Sequence, residues 1–399
     1  MPTPQDLAAE LSQERFALTS LLEFARTLTP DLGPRGIIRS VLRTVMGKSL
    51  IKQAFAYLAD GSQYELVARA GFAPQEFPEV IEREDFDRLI ANKSDAFNVV
   101  PLLTADGADY LGLLGLGPSI NPRLSSDSEA TYLASLAALT SIALTNAWLF
   151  EREKDRERLE SELRLAREIQ ESLLPQRLPE IPGAEFAALS RPSEWVGGDY
   201  YDVIELGRGR VLLAIADVVG KGVTAALTMS NLQAALRALV TMLREGHLTL
   251  LDVVKELNRL MCESTAAERF ITAAFALLDV RNRSMESVVC GHPNPILASS
   301  GKTGILVEST GIPLGIVPAF PYESRSNLLD ANSLLVLYTD GLSEAAQGGT
   351  LFGEKGMMRL VQEMASADGS LSRILEEFVG SEGMSIQDDV TVLAVRIRE

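Results

Sequence analysis

Histidine and cysteine are nearly absent from this chain, whose 399 residues hold only His247, His292, Cys262 and Cys290. Two cysteines cannot build a disulfide framework, and they fit a reducing compartment. None of the four residues precedes position 247, so the first part of the chain has no cysteine for a bilin and no histidine or cysteine to ligate a haem. Basic charge is also short, with 37 Lys+Arg against 54 Asp+Glu and a formal net charge of −17. That balance argues against a nucleic-acid backbone or an anionic membrane surface as partner. The first residues, Met1-Pro-Thr-Pro-Gln-Asp6, lack the basic and apolar regions of a secretion signal, so a cytoplasmic location is expected. Residues 132–150 are uncharged over 19 positions, about the length that crosses a bilayer. They include Ser135, Thr140, Ser141, Thr145 and Asn146, and Leu133, Leu136, Leu139, Ile142 and Leu149 form the stripe of a helix packed on protein. A buried or dimer-forming helix is expected there, with no membrane span.

What the chain has instead is aspartate beside glycine or at the margin of an apolar run. Asp199 lies in Val196-Gly-Gly-Asp-Tyr-Tyr-Asp202, Asp217 in Ala216-Asp-Val-Val-Gly-Lys-Gly222, Asp340 in Tyr338-Thr-Asp-Gly341 and Asp388 in Gln387-Asp-Asp-Val-Thr391. Carboxylates so placed suit hard divalent cations such as Mg²⁺ or Mn²⁺, which points to metal-assisted chemistry on phosphate. No convincing serine–histidine or cysteine–histidine pair offers a covalent alternative. The Asp217-to-Gly222 stretch lacks the six-residue frame ending in Gly-Lys-Ser/Thr, so it is not read as an ATP-binding loop. Its glycines let backbone approach the metals and open a helix at Val223.

At this length two domains and a connection are expected. Eleven of the fourteen residues 151–164 are charged, with alternating signs that support helical i,i+4 pairs. A helix over about 126–174 is expected, stopped by Pro175. Leu159, Leu163, Ala166, Gln170 and Leu173 repeat as the seam of a two-stranded coil. Arg152 and Arg156 fall on that seam when it is extended backwards, so a single solvated spacer helix is the other reading. Before it, helices over 14–29 and 36–46 precede strands at 53–58, 64–69, 97–102 and 110–116. After it, strands at 200–206, 211–216, 271–280, 285–290, 334–338 and 390–397, with helices at 223–243 and 250–262, predict two packed sheets covered by helices. In an antiparallel sheet the exit of one strand lies beside the entrance of its neighbour, so the four aspartates can gather along one edge.

The order of elements in residues 1–150, with Leu111-Gly-Leu-Leu-Gly-Leu-Gly117 near the end, resembles a GAF sensor domain. Asn92-Lys93 resembles the start of a cyclic-nucleotide signature in such domains, but the aspartate–glutamate pair that should follow is missing. A small-molecule ligand and a ligand-free dimerisation role are both open. Residues 166–397 carry a more specific set: the four aspartate motifs, Ala166-Arg-Glu-Ile-Gln-Glu-Ser-Leu-Leu-Pro175, Cys290-Gly-His-Pro-Asn-Pro295, Gly311-Ile-Pro-Leu-Gly315 and Asp340-Gly-Leu-Ser-Glu-Ala345. From about 166 to 397 these resemble the PPM-type (protein phosphatase 2C-like) serine/threonine phosphatases of the SpoIIE/RsbU branch.

The resemblance implies an α/β chain of three parts: a GAF-like domain (1–150), a helical linker (151–182) and an α-β-β-α sandwich (183–399). It implies two Mn²⁺ or Mg²⁺ ions held by Asp199, Asp217, Asp340, Asp388 and the Val218 carbonyl, which activate a water for in-line attack on phosphorus. It also implies a phosphorylated STAS-type anti-sigma-factor antagonist as substrate; the coiled-coil seam and the apolar helix before it point to a homodimer. A catalytically silent scaffold and a small-molecule phosphomonoesterase are the rival readings.

Other residues are open at this level. Gly198 is expected to let backbone approach the metals beside Asp199. Asp202 reads either as orienting a water at the cluster or as a solvated strand residue. Asp389 is close to the cluster, but turned opposite to Asp388 if both lie on a strand; Glu344 is a further acidic candidate. His292 is either a turn imidazole or a proton carrier, and His247, after a helix end at Gly246, reads as a surface residue. Relatives in the protein phosphatase 2C group carry a histidine where this chain has Val219. Arg191, Lys221 and Arg210 are three candidates to receive a phosphate, and the sequence does not choose among them.

Overall fold

The computed structural model describes residues 15, 18–19, 21–26, 29, 32–73, 75–91, 96–119, 126–264, 269–299, 305–347, 350–367, 369–379 and 384–398. Asn92-Lys93 and residues 14, 16–17, 20 and 27–28 of the first expected helix lie outside the described residues, while its residues 15, 18–19 and 21–26 are helical. The chain forms two compact units that divide between Leu159 and Glu160.

In the N-terminal unit, helix α1 (Gly33–Ser49) carries Pro34 in its first turn and stops at Leu50, which takes a left-handed conformation. Its Ile37, Ile38, Val41, Leu42 and Val45 recur at helical spacing and are buried. There follow β1 (Ala54–Asp60), β2 (Gln63–Ala70), β3 (Val80–Glu82), helix α2 (Arg83–Ala91), β4 (Asn98–Leu103) and β5 (Tyr110–Leu116). The five strands form an antiparallel sheet in the order β3-β2-β1-β5-β4. Three residues are too few for β3 to show alternation; α2 carries Phe86, Leu89 and Ile90 at helical spacing, packed in the aromatic cluster, a signal too short to stand out.

Helix α3 (Ser126–Leu173) runs for 48 residues. It is long and apolar enough to cross a membrane by length and composition. Its Leu133, Leu136, Leu144 and Ala147 are instead buried in a core with α1 and one sheet face. The other face is packed with aromatic rings: Phe55 stacks on Phe77 at 3.9 Å, and Tyr64 on Phe86 at 3.6 Å.

The C-terminal unit contains β6 (Ala184–Arg191), β7 (Tyr200–Gly207), β8 (Arg210–Val218), α4 (Val223–Glu245), α5 (Leu250–Ser264), β9 (Ile271–Asp279), β10 (Ser284–Cys290), β11 (Ile296–Ala298), β12 (Ile305–Leu306), β13 (Arg325–Leu328) and β14 (Leu334–Tyr338). It continues through α6 (Asp340–Ser343), β15 (Ala346–Gln347), β16 (Thr350–Leu351), α7 (Gly353–Ser366), α8 (Leu371–Val379), β17 (Met384–Ser385) and β18 (Val390–Ile397). One five-stranded sheet has the order β13-β10-β9-β8-β7, the other β12-β11-β14-β18-β6, and β16-β15-β17 form a small third sheet.

Alternation along the strands sorts the apolar residues into three layers. Leu213, Ile215, Ala274, Leu337, Leu393 and Val395 meet between the two large sheets. Leu212, Ala214 and Phe275 face Met229, Leu232, Leu236 and Leu257 of α4 and α5. Val336, Val392 and Ala394 face Met357, Leu360, Val361 and Leu375 of α7 and α8. The result is a helix–sheet–sheet–helix sandwich.

Candidate metal centre

Strand pairing places the four aspartates, two on each sheet. Tyr200 pairs with Ala216 where β7 begins and β8 ends, so Asp199 lies beside Asp217. Tyr338 pairs with Val392 where β14 ends and β18 begins, so Asp340 lies beside Asp388. The facing of the two sheets then brings one pair to the other. Thr339, just before Asp340, donates its Oγ1 hydrogen to Asp199 Oδ2 at 2.9 Å across the sandwich, and accepts from Thr391 N at 2.9 Å.

Two glycines make this approach possible. A Cβ on Gly341 would stand 2.0 Å from the Asp389 carbonyl and 3.2 Å from the Asp388 carbonyl carbon. One on Gly198 would stand 2.8 Å from the Val218 carbonyl oxygen and 3.4 Å from Asp217 Oδ1. Any side chain at either position would push apart the segments that carry the carboxylates.

The electrostatics are those of crowded, partly dehydrated anions. Burial holds Asp199 well above the usual carboxylate range, and the neighbouring Asp217 adds to the shift. Burial pushes Asp217 up to about 7, with Asp340, Asp388 and Asp389 adding and Lys221 opposing. Asp340 is raised by burial and then by Asp388. Asp199 is 6% exposed, and its Oδ1 is buried with no hydrogen-bond partner.

Among the described residues, no three acidic, imidazole or thiol groups close on one point as a finished ion cage. Like charges so close raise one another's protonation, and the Lys221 ammonium sits 3.0 Å from Asp388 Oδ1. The donor set nevertheless fits a hard divalent cation. It is all oxygen, it includes a buried partnerless carboxylate oxygen, and Gly198 leaves the Val218 carbonyl side uncovered.

The remaining candidates separate clearly. Asp202 is fully buried, and both its oxygens are taken by Tyr200 Oη (2.7 Å), Val203 N (2.8 Å) and Arg237 Nε and Nη2 (2.7 and 2.8 Å). It ties β7 to α4, so it is neither a solvated strand residue nor turned to the cluster. Asp389 accepts from Ser193 N (2.7 Å), Ser193 Oγ (2.9 Å) and Gly198 N (2.8 Å), which pins the loop before Asp199 to the start of β18. Glu344 lines a small cavity with Lys221 and Asp388. His292 is buried, bonds Thr272 Oγ1 through Nδ1 at 2.9 Å, and is pushed down to about 3 by burial, so it stays neutral. His247 is exposed, 3.5 Å from Glu245.

Sequence reasoning missed Thr339, Ser193 and the site role of Gln170. Gln170 Nε2 donates to Gly197 O at 2.6 Å, and its Oε1 accepts from Gly197 N at 3.1 Å. Thr339 could have been found from its place directly before Asp340. The other two depend on tertiary pairing alone.

Residues 207–398 match the profile of the family described as stage II sporulation protein E (SpoIIE). Asp199 and Gln170 lie before that span, so their placement rests on the geometry above. The chain is 27% identical over 241 residues to the phosphoserine phosphatase RsbU of Bacillus subtilis, an alignment covering 60% of this chain and 70% of RsbU. It is 29% identical over 260 residues to protein IcfG of Synechocystis, covering 59% of this chain and 41% of IcfG. Among solved structures, the SiaA-PP2C domain of Pseudomonas aeruginosa matches with a TM-score of 0.52 at 22% identity, over 61% of this chain and 98% of that domain, a likeness of fold.

Proposed function

Since the C-terminal unit carries a SpoIIE-family, PP2C-type phosphatase domain, we propose that the chain is a Mn²⁺- or Mg²⁺-dependent phosphoserine/phosphothreonine protein phosphatase. Its N-terminal unit acts as a GAF-like regulatory domain, and its substrate is a small phosphorylated STAS-type antagonist of an anti-sigma factor. The observation that carries the reading is that strand pairing and sheet packing bring Asp217 near Asp340 and Asp388, beside Asp199 with its buried, partnerless Oδ1. Divalent cations bound there would supply Lewis acidity toward phosphoryl oxygens and toward the attacking water.

The chain's own residues do the rest. Asp199 is oriented by Thr339, and the loop before it is held by Asp389 and Gln170. In the hydrolysis, the water oxygen bonds to phosphorus and the bond to the seryl oxygen breaks. The electron pair stays on that oxygen, which takes up a proton. His292, buried and neutral, does not supply that proton, and Val219 offers none, so water or another acid must serve.

Regulation runs through α3, whose last turns hold Gly197 by the two Gln170 bonds, next to the aspartate loop. The test is phosphate release from a phosphoseryl STAS protein and from p-nitrophenyl phosphate, each with and without Mn²⁺. Mn²⁺-dependent release that favours the phosphoprotein is expected. A preference for the aryl ester supports a small-molecule phosphomonoesterase, and inertness on both supports a silent scaffold.

A further inference from the structure

Of the three cations that the sequence offered for a substrate phosphate, Arg191 lines a cavity with Asp199 and Asp389, and Lys221 alone forms an ion pair with one of the four aspartates. Arg210 opens β8, seven residues from Asp217 on the same strand, about 23 Å away at ~3.3 Å per residue. Its Nη2 donates to the Arg244 carbonyl at that far end, at 3.2 Å. Arg191 closes β6 and turns its Nη1 toward the Val379 carbonyl at the end of α8, at 3.5 Å. Lys221 lies between Asp217 and α4, with its ammonium 3.0 Å from Asp388 Oδ1 and donating to the Gln387 carbonyl at 3.1 Å.

Together with Gly341, Glu344, Gln387 and Asp388, Lys221 lines a cavity of 160 Å³. Its neighbours Gly220 and Gly222 have φ of +100° and +73°, a loop conformation that side-chain-bearing residues rarely adopt. Glu194 also approaches this loop, within 3.8 Å of a Cβ on Gly222. A phosphate dianion entering here meets Asp388, Glu344 and Glu194, so it can settle only against positive charge. The exposed apolar side chains of Trp195, Val219 and Val223 flank the same loop.

The geometry points to Lys221 as the resting counter-ion of Asp388, which becomes the binding group for the substrate's phosphate once divalent cations occupy the carboxylates. Metal and ammonium compete for one carboxylate, so loading the metal leaves the ammonium without its partner and beside the cavity. This deepens the phosphatase reading and rests on it.

The test uses the full chain and two titrations that need no turnover: calorimetric uptake of Mn²⁺, and binding of inorganic phosphate to the Mn²⁺-loaded chain. Lys221→Gln is expected to take up Mn²⁺ several-fold more tightly and to bind phosphate about tenfold more weakly, the scale of one charge-assisted hydrogen bond. Lys221→Arg restores both values toward wild type, and Arg210→Gln, which removes the same charge at the far end of β8, changes neither. Unchanged phosphate affinity in Lys221→Gln, unchanged Mn²⁺ uptake, or equal shifts in Arg210→Gln would each overturn the proposal. If wild type releases no phosphate from any ester, the phosphatase reading fails, while the two titrations still decide the role of Lys221.

Discussion

Each unit of this chain contains a five-stranded antiparallel sheet with a glycine set against a close neighbour, and what fills the freed space differs. In the N-terminal unit, a Cβ on Gly115 would lie 2.0 Å from the Phe55 ring, inside the cluster of stacked aromatics. In the C-terminal unit, Gly197 admits the Asp389 carboxylate (2.3 Å to a Cβ), Gly198 the Val218 carbonyl (2.8 Å) and Gly341 the Asp389 carbonyl (2.0 Å). Hydrocarbon in the gap adds dispersion and buried apolar area, which serve stability. Oxygen in the gap adds dehydrated negative charge, which costs stability until a cation arrives. The same backbone device therefore marks a core in one unit and a site in the other.

The contrast is sharpest at Asp340. Asp340→Asn removes one anion from the cluster while keeping its shape, and phosphate release is expected to fall about 10³-fold or more as the metal-assisted route is lost. Phosphate release from the phosphoprotein at saturating Mn²⁺ measures it; activity within tenfold of wild type would mean that this carboxylate is not needed.

Next come the paired alanine substitutions. Gly198→Ala should weaken Mn²⁺ uptake about 10- to 100-fold, as for other groups that orient metal ligands, because the new methyl presses on the Val218 carbonyl. Gly115→Ala should leave Mn²⁺ uptake alone and destabilise the fold by about 1–3 kcal/mol through overpacking against Phe55. Calorimetry and urea unfolding on the same two proteins read both effects. Equal loss of metal binding in the two would erase the distinction between the units.

The parts of this contrast that are local were legible in the sequence. Strands β14 and β18 begin and end at the residues that their apolar runs marked, and the antiparallel rule alone set exits beside entrances. Strand β13, Arg-Ser-Asn-Leu, is polar and largely exposed, and β11 has three residues, so neither gave a period to read. Helix α7 did leave a signal, Met357, Leu360, Val361 and Met364 at helical spacing, which went unread.

Around the site, Asp202 failed as a sequence inference because its partner, Arg237, lies on another element. The repeat Leu159, Leu163, Ala166, Gln170 and Leu173 suits a coiled-coil seam, yet its Gln170 is spent on Gly197. A period reports which residues share a face, and nothing in it says what that face meets.

The charge penalty in the second unit gives a pH dependence with a definite sign. Asp217 has a folded-state value of about 7 against an ordinary 3.8, and Asp199 and Asp340 shift the same way. The folded state then holds these protons more tightly than the unfolded chain. Their contribution to stability is present in full below the unfolded value and is lost as pH rises through about 7. Buried His292, pushed down to about 3, works in the opposite sense below its ordinary range, so the comparison is made against a variant. Between pH 5 and pH 8 the metal-free protein is expected to lose about 1–2 kcal/mol of unfolding free energy that Asp217→Asn does not lose. Adding Mn²⁺ at pH 8 should restore it to the wild type by mass action. Parallel pH profiles for the two proteins would show that Asp217 does not carry the penalty.

The smallest effect tests whether the gap at Gly197 is held open from both sides. Asp389 grips Ser193 and Gly198 from β18, and Gln170 grips Gly197 from the end of α3 through one donated and one accepted bond. Gln170→Ala removes both bonds and leaves two backbone groups for water to satisfy, a loss of about 1 kcal/mol, or three- to tenfold in Mn²⁺ affinity. Gln170→Glu keeps the acceptor for Gly197 N, loses the donor to Gly197 O and brings another negative charge toward Asp199, so it should lower phosphate release without the same loss of cation uptake. If Gln170→Ala and Gln170→Glu are indistinguishable in both measurements, the amide of Gln170 does not set the loop before Asp199, and Asp389 holds it from β18.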